Sequence, residues 1–163
     1  MSDDRLCPVD EHLPEGKPKG CVLVVSDYRL LNLGHAFALC DEGYAVYTAV
    51  TCTDVPMIFE RYHVGDVDLV AFASLVHGWH HLEREERPES IPQTTDPEWQ
   101  TRNMREVIDI VCGRQTSPPK VLIAVELVTF GWYRITAEVL EKAGVEYEMY
   151  SASDPYSIVG FLQ

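Results

Sequence analysis

One short segment of this chain concentrates side chains that can bind metals or exchange protons. Within ten residues the sequence carries three histidines and three glutamates, at His77, His80, His81, Glu83, Glu85 and Glu86. Imidazole and carboxylate groups bind zinc and other transition metals, and histidine titrates near neutral pH. Their spacing matches no metal signature, so a solvated loop is the simpler interpretation. We therefore predict no metal site here and keep the three histidines only as weak candidate ligands.

A second set of candidate residues follows the apolar segments that predict buried strands. The segment Val22-Leu-Val-Val-Ser-Asp27 ends on Ser26 and Asp27, and the segment Asp68-Leu-Val-Ala-Phe-Ala73 ends on Ala73. In an open parallel sheet, ligands and reaction chemistry gather at the carboxyl ends of the strands. Ser26 and Asp27 offer a hydroxyl and a carboxylate at such an end, whereas the methyl group of Ala73 can do no chemistry.

Five apolar segments predict strands, and helical patterns separate them. The predicted strands are Cys21–Val25, Ala45–Val50, Val67–Ala73, Val121–Val125 and Val145–Tyr150. Apolar residues recur at helical spacing after the first strand, at Leu30, Leu33, Phe37 and Cys40. Gly43 follows them at the position where a residue with left-handed backbone conformation commonly ends a helix. This strand–helix alternation, repeated five times, predicts an α/β domain with a parallel sheet and helices on both faces.

Length and composition fit a single domain. The chain has 163 residues, of which 46% are hydrophobic and 24% charged, and this is enough for one sizeable core. Residues 1–19 are polar and contain three prolines, so we predict a flexible leader before one domain over residues 20–163. The stretch from about 74 to 96 is predicted to be an inserted loop, and a loop of that length is usually functional or disordered.

Charge and hydropathy argue against two classes of partner. The formal net charge of −13 would repel nucleic acid, whose binding rests largely on neutralising phosphates. No apolar segment approaches the roughly 20 residues that a membrane helix needs, and residues 1–10 lack the apolar core of a signal peptide. We therefore expect a cytoplasmic protein with neither a nucleic-acid partner nor a membrane partner. The five cysteines form no CxxC pair, so they indicate neither a disulfide framework nor a zinc knuckle.

The order and spacing of these segments resemble the receiver domain of bacterial response regulators. The resemblance runs from about Cys21 to the C-terminus and is carried by segments 22–27, 41–46, 68–73 and 121–125, by Ala143-Gly144, and by Asp154-Pro155. It implies a flavodoxin-like (CheY-like) fold with five parallel strands in the order 2-1-3-4-5. An unrelated flavodoxin-like domain is the alternative. A cobalamin site is disfavoured, because the histidine that it needs after the first strand is missing. A flavin site is disfavoured as well, because the phosphate-binding loop that it needs at the same place is missing.

Receiver domains phosphorylate themselves on an aspartate at the end of the third strand. Acidic residues after the first strand hold magnesium, while a hydroxyl after the fourth strand and a lysine after the fifth hold the phosphoryl oxygens. Such cations and donors stabilise a phosphoryl group in transfer. In chain order, the positions of the acidic pair, the acceptor, the hydroxyl and the lysine hold Ser26 and Asp27, Ala73, Val125 and Ser151. Only Asp27 keeps a carboxylate, and one carboxylate binds magnesium weakly.

The resemblance therefore implies a pseudo-receiver, with the receiver fold but without aspartyl phosphorylation, enzymatic activity or cofactor. Its expected partner is a signalling protein such as a histidine kinase, or a second copy bound through the face of the fourth helix, fifth strand and fifth helix. The alternative is a small-molecule or metal sensor that uses the vacated pocket and the loop over residues 74–98. The loop residues that would contact a ligand or partner are His77, Trp79, His80 and His81, and Asp27 is a further weak metal candidate.

Overall fold

Within residues 9–74, 97–125, 140–142, 144 and 146–163, which the computed structural model describes, six strands form one sheet. The strands are β1 (Val9–His12), β2 (Cys21–Val25), β3 (Ala45–Ala49), β4 (Leu69–Phe72), β5 (Lys120–Ala124) and β6 (Tyr147–Tyr150). The α-helices are α1 (Arg29–Asp41), α2 (Val55–Arg61), α3 (Pro97–Arg114) and α4 (Val159–Leu162), and short 3-10 helices cover Cys52–Asp54 and Pro155–Ile158. Among the helices of these described ranges, none is long and apolar enough to cross a bilayer.

The order of the parallel strands confirms the predicted topology. The full sheet runs β1-β3-β2-β4-β5-β6, and each neighbouring pair from β3 to β6 is parallel. Without β1 this is the order 2-1-3-4-5, which is typical of flavodoxin-like doubly wound folds. In such folds the strand order reverses beside the first strand, here β2. The carboxyl ends of β2 and β4 therefore border the crevice where ligands are expected.

The strand β1 corrects the prediction for the N-terminal segment. Val9–His12 pair antiparallel with β3, so the sheet has six strands of mixed direction and not five parallel strands. Val9 is fully buried, and the Tyr47 hydroxyl donates a hydrogen bond to Glu11 Oε2 at 3.0 Å. A flexible leader over residues 1–19 is thus wrong for these four residues. Without β1, the edge of β3 would expose unpaired backbone groups, and a short polar segment is enough to pair with them.

Alternating strand residues build two apolar layers, one on each face of the sheet. Leu23, Val25, Val70 and Phe72 belong to the layer that includes residues of α2 and α3, and Val22, Val24, Leu69 and Ala71 belong to the layer beneath α1. The stripe of α3 residues that faces the first layer is buried at Met104, Val107, Ile108 and Val111. Because both faces are covered, the central strands are buried along their whole length, as parallel strands usually are.

Helix α1 has its polar residues on the buried side. It ends as predicted before Gly43, whose φ of 97° lies in the left-handed region. The side facing the sheet carries Asn32, His35, Ala36 and Leu39, whereas Leu30 and Phe37 are 65% and 66% exposed. The apolar spacing in the sequence therefore predicts the helix correctly and misses its buried side. Two polar side chains enter the interior next to the carboxyl ends of the strands.

Candidate functional site

The carboxyl edge of the sheet brings Ser26, Asp27 and Ala73 together. Ser26 and Asp27 follow β2, and Ala73 follows the neighbouring strand β4, where its backbone N–H donates to Val25 O at 3.2 Å. Ser74 completes the group, since its hydroxyl donates to Asp27 Oδ1 at 2.7 Å and lies 2.5 Å from Ser26 Oγ. The sequence pattern did not single out Ser74, because this contact depends on β2 and β4 being neighbours.

These groups form a hydrogen-bond chain with one direction. A carboxylate only accepts, so the Ser74 hydroxyl donates to Asp27, and in the contact between the two serines the Ser26 hydroxyl is the donor. The Ser26 hydroxyl has a second, longer contact with Tyr28 O at 3.4 Å. The Ser26 oxygen in turn accepts from the Tyr28 backbone N–H at 3.0 Å. The chain therefore runs from Tyr28 through both hydroxyls to the carboxylate, and it occupies Asp27 Oδ1 with a neutral donor.

The remaining positions offer no cation and no aspartate. Ala73 is 2% exposed and packs in the apolar layer beneath α1. Val125 follows β5 and is 41% exposed. Ser151 follows β6, about 10 Å from β4 at the usual strand spacing, and its hydroxyl lies 2.8 Å from Ser153 Oγ. The five predicted positions thus lie along one edge, but only Ser26, Asp27 and Ala73 lie on adjoining strands next to the strand-order reversal.

Asn32 ties the first turns of α1 to this edge. Its Nδ2 group donates to Ser26 O at 3.1 Å and to Ala49 O at 3.4 Å. Its Oδ1 atom is buried and has no hydrogen-bond partner among the described residues. An unpaired buried acceptor costs about 1–3 kcal/mol, and a buried water is the usual remedy in proteins. The amide therefore holds the backbone ends of β2 and β3 in place.

His35 links α1 to the carboxyl end of β6. The side chain is fully buried, and Nδ1 lies 2.8 Å from Leu31 O, so this nitrogen carries a proton. Nε2 then accepts from the Tyr150 hydroxyl at 2.8 Å, and the two rings meet edge to face. Tyr150 directly precedes Ser151. The signal that could have revealed Asn32 and His35 is their spacing of three residues within an otherwise apolar helix.

A cysteine shortly after β3 is held as a thiol. Cys52 is fully buried, and its Sγ donates to Glu106 Oε2 at 3.2 Å. Burial, followed by the hydrogen bond to Glu106 and its negative charge, raises the pKa of Cys52 far above its usual value. The thiolate is the reactive form of cysteine. Cys52 is therefore a packing residue and not a nucleophile.

The predicted loop residues His77, Trp79, His80 and His81 lie outside the described residues. In the part of the chain that is described, no group of three or more histidine, cysteine, aspartate or glutamate side chains is placed to hold a metal ion. The Asp27 carboxylate accepts from the Ser74 hydroxyl, which in turn contacts the Ser26 hydroxyl.

Among solved structures, the chain is similar to the signal receiver domain of a protein described as a Luxo repressor, from Vibrio parahaemolyticus. The two are 19% identical with a TM-score of 0.48, over 90% of this chain and 89% of that chain. No family model matches the sequence, and no curated protein matches it. The strand order, and not this similarity, therefore carries the assignment to a flavodoxin-like fold.

Replacing Ser74 with alanine removes the middle of the hydrogen-bond chain. The buried Ser26 hydroxyl then keeps only its longer contact with Tyr28 O, at 3.4 Å, and Asp27 loses a donor, so we expect the free energy of unfolding to fall by about 1–2 kcal/mol. Urea denaturation measures the difference. Ser153→Ala is the matched control, since it removes an exposed serine hydroxyl at the same edge and should cost less than about 0.5 kcal/mol. Equal effects in the two variants would mean that the hydrogen bonds of Ser74 contribute nothing to stability.

Proposed function

We propose that this chain is a cytoplasmic pseudo-receiver, a protein of the response-regulator type that signals through protein–protein contact and is not phosphorylated on aspartate. The observation that carries the proposal is the set of side chains at the carboxyl edge of the sheet. The acceptor position holds the buried methyl group of Ala73, and the carboxylate that follows the neighbouring strand, on Asp27, accepts a hydrogen bond from Ser74 at 2.7 Å.

Phosphoryl transfer to an aspartate needs three things that the described residues of this edge do not supply. It needs a carboxylate as nucleophile, oxygen ligands for a divalent cation, and fixed positive charge or donors around the phosphoryl oxygens. Ala73 supplies no nucleophile, Asp27 alone supplies an anionic ligand, and Val125 supplies no donor. A face that phosphorylation does not switch must keep one conformation or respond to binding of another molecule.

Intact mass spectrometry after incubation with acetyl phosphate or phosphoramidate, in the presence of magnesium, tests the proposal. We expect the mass of the protein to remain unchanged, while an active receiver domain treated in parallel gains one phosphoryl group. Stoichiometric modification of this chain would refute the pseudo-receiver. Peptide mapping of any modified sample would then identify the acceptor.

A signalling protein such as a histidine kinase is the partner that this proposal requires, and a second copy of the chain is the other candidate. The last helical segment is short, with a 3-10 turn at Pro155–Ile158 followed by four residues in α4. The alternative of a ligand sensor depends on the loop over residues 74–98, most of which lies outside the described ranges, and no observation within those ranges favours it.

A further inference from the structure

The amino ends of the parallel strands border an open groove, on the edge of the sheet opposite to the candidate site. Its larger part, of about 1130 Å³, lies at the start of β5 and β6. Its smaller part, of about 410 Å³, lies at the start of β2 and β4. The two parts are continuous, because Pro118, Lys120 and Phe161 line both of them. We name the whole the amino-edge groove.

The floor of the amino-edge groove is apolar. Val121 and Leu122 are buried beneath it, whereas Cys112, Tyr147 and Phe161 are half-buried and partly open to it. The two prolines that precede β5 form part of the wall, and proline fixes its own backbone angle φ. Binding sites in proteins are usually preformed and mostly apolar, with a few polar groups that set specificity. The groove therefore offers a surface on which apolar side chains of another molecule can pack.

The rim of the amino-edge groove is acidic. Five carboxylates and two ammonium groups line it, and they belong to Asp66, Asp68, Glu141, Glu146, Glu148, Lys19 and Lys120. All five acids are exposed, and within the described part of the chain only Asp68 among them makes a hydrogen bond, to the Cys21 backbone N–H. The Lys120 ammonium already donates to Phe161 O. A concave surface lined mainly by one sign of charge concentrates the potential, so this groove attracts cations.

Shape and charge together indicate which molecule fits the groove. It passes the starts of β2, β4, β5 and β6, and three strand spacings, about 14 Å, correspond to about four residues of extended chain. A metal ion does not fit, since no three histidine, cysteine, aspartate or glutamate side chains in the described ranges are placed to hold one. The net charge of −13 disfavours a second copy of the chain and nucleic acid, and it favours a basic partner.

We propose that the amino-edge groove docks an extended, basic segment of a partner protein. Successive side chains of an extended chain point to opposite sides. One set, of lysine or arginine, pairs with the rim at Glu146 and Glu148, and the alternate apolar set packs on the floor at Cys112 and Tyr147. The contact lies one strand length away from Asp27, so it is independent of the chemistry at the carboxyl edge.

Fluorescence anisotropy with a labelled six-residue peptide of alternating lysine and leucine tests the proposal, in about 50 mM salt to limit screening. We expect saturable binding to the wild type and about tenfold weaker binding to Glu146→Lys with Glu148→Lys, because two ion pairs are replaced by repulsion. The matched control is Glu15→Lys with Glu60→Lys. It has the same net charge, changes two exposed glutamates outside the groove and should bind as the wild type does.

Two competing molecules separate a docked segment from simple attraction of positive charge. A peptide of alternating lysine and serine keeps the charge and loses the apolar side chains, so it should bind about tenfold more weakly than the lysine–leucine peptide. Spermine carries comparable charge without a peptide backbone and should displace the labelled peptide only at much higher concentration. Equal binding of the serine peptide, or displacement by spermine at equal concentration, would overturn the proposal.

Alkylation of the cysteines locates the bound peptide. Cys112 lines the groove and Cys40 lies on α1 outside it; both are half-buried, and burial raises the pKa of both thiols. At a peptide concentration ten times the Kd, about a tenth of the protein is free, so N-ethylmaleimide should modify Cys112 about tenfold more slowly. The rate at Cys40, followed by peptide mapping, should not change.

Three results would refute docking at this groove. They are no saturable binding to the wild type, equal losses in the two double variants, and equal protection of Cys112 and Cys40. None of them bears on whether the chain is phosphorylated, because acetyl phosphate labelling reads the opposite edge of the sheet.

Discussion

Replacing Ala73 with aspartate will destabilise the protein and will not create a phosphorylation site. The residue is 2% exposed and its methyl group belongs to the apolar layer beneath α1. A carboxylate at this position is buried, lies near the charge of Asp27 and has no cation beside it among the described residues. Burying an unpaired charge is among the most costly single substitutions, so we expect the free energy of unfolding at pH 7 to fall by about 3–5 kcal/mol.

The pH dependence separates the cost of charge from the cost of size. Burial and the negative charge of Asp27 should raise the pKa of the introduced carboxyl above its value in the unfolded chain. The loss of stability caused by the charge is then largest at high pH, where the carboxyl is ionised in both states. It shrinks as the pH falls toward about 4, the ordinary pKa of aspartate in the unfolded chain. Urea denaturation at pH 7 and at pH 4.5 measures this difference, with the neutral isostere Ala73→Asn as control. A variant as stable as wild type, or one phosphorylated by acetyl phosphate, would show that this edge still accommodates an aspartate.

Local patterns were sufficient to predict the five parallel strands, and their order followed from the resemblance to receiver domains. Val22–Val25 and Leu69–Phe72 are apolar on both faces, and this is the signature of a central parallel strand. Gly43 marks a helix end because its left-handed backbone is a property of that residue alone. Strand β1 could not be predicted in this way. Its pairing with β3 is made by backbone groups and by the contact of Glu11 with Tyr47, 36 residues away in sequence.

The candidate site shows the same limit. Ser26, Asp27 and Ala73 could be located because each follows an apolar segment, and strand ends meet at one edge of a parallel sheet. The role of Ser74 could not be predicted, because its contacts of 2.5 Å and 2.7 Å depend on how closely the ends of two neighbouring strands lie to each other. Asn32 and His35 were hidden for a different reason. The exposed side of α1 carries Leu30 and Phe37, so hydrophobic spacing points to that side of the helix.

Replacing His35 with alanine should cost more stability than removing any other polar side chain discussed above. The imidazole is fully buried and bonds to both Leu31 O and the Tyr150 hydroxyl, each at 2.8 Å. Alanine leaves a cavity and removes both hydrogen bonds, so we expect the free energy of unfolding to fall by about 3–5 kcal/mol. Urea denaturation measures the loss. His63→Ala, at an exposed histidine, should change stability by less than about 0.5 kcal/mol.

A double-mutant cycle with Tyr150→Phe isolates the bond between α1 and the end of β6. Phenylalanine keeps the ring against His35 and removes only the hydroxyl, so the single variant should lose about 1–2 kcal/mol. Because the two side chains are in contact, the losses should not add, and a coupling of about 0.5–3 kcal/mol is expected. Additive losses would mean that the 2.8 Å contact contributes nothing.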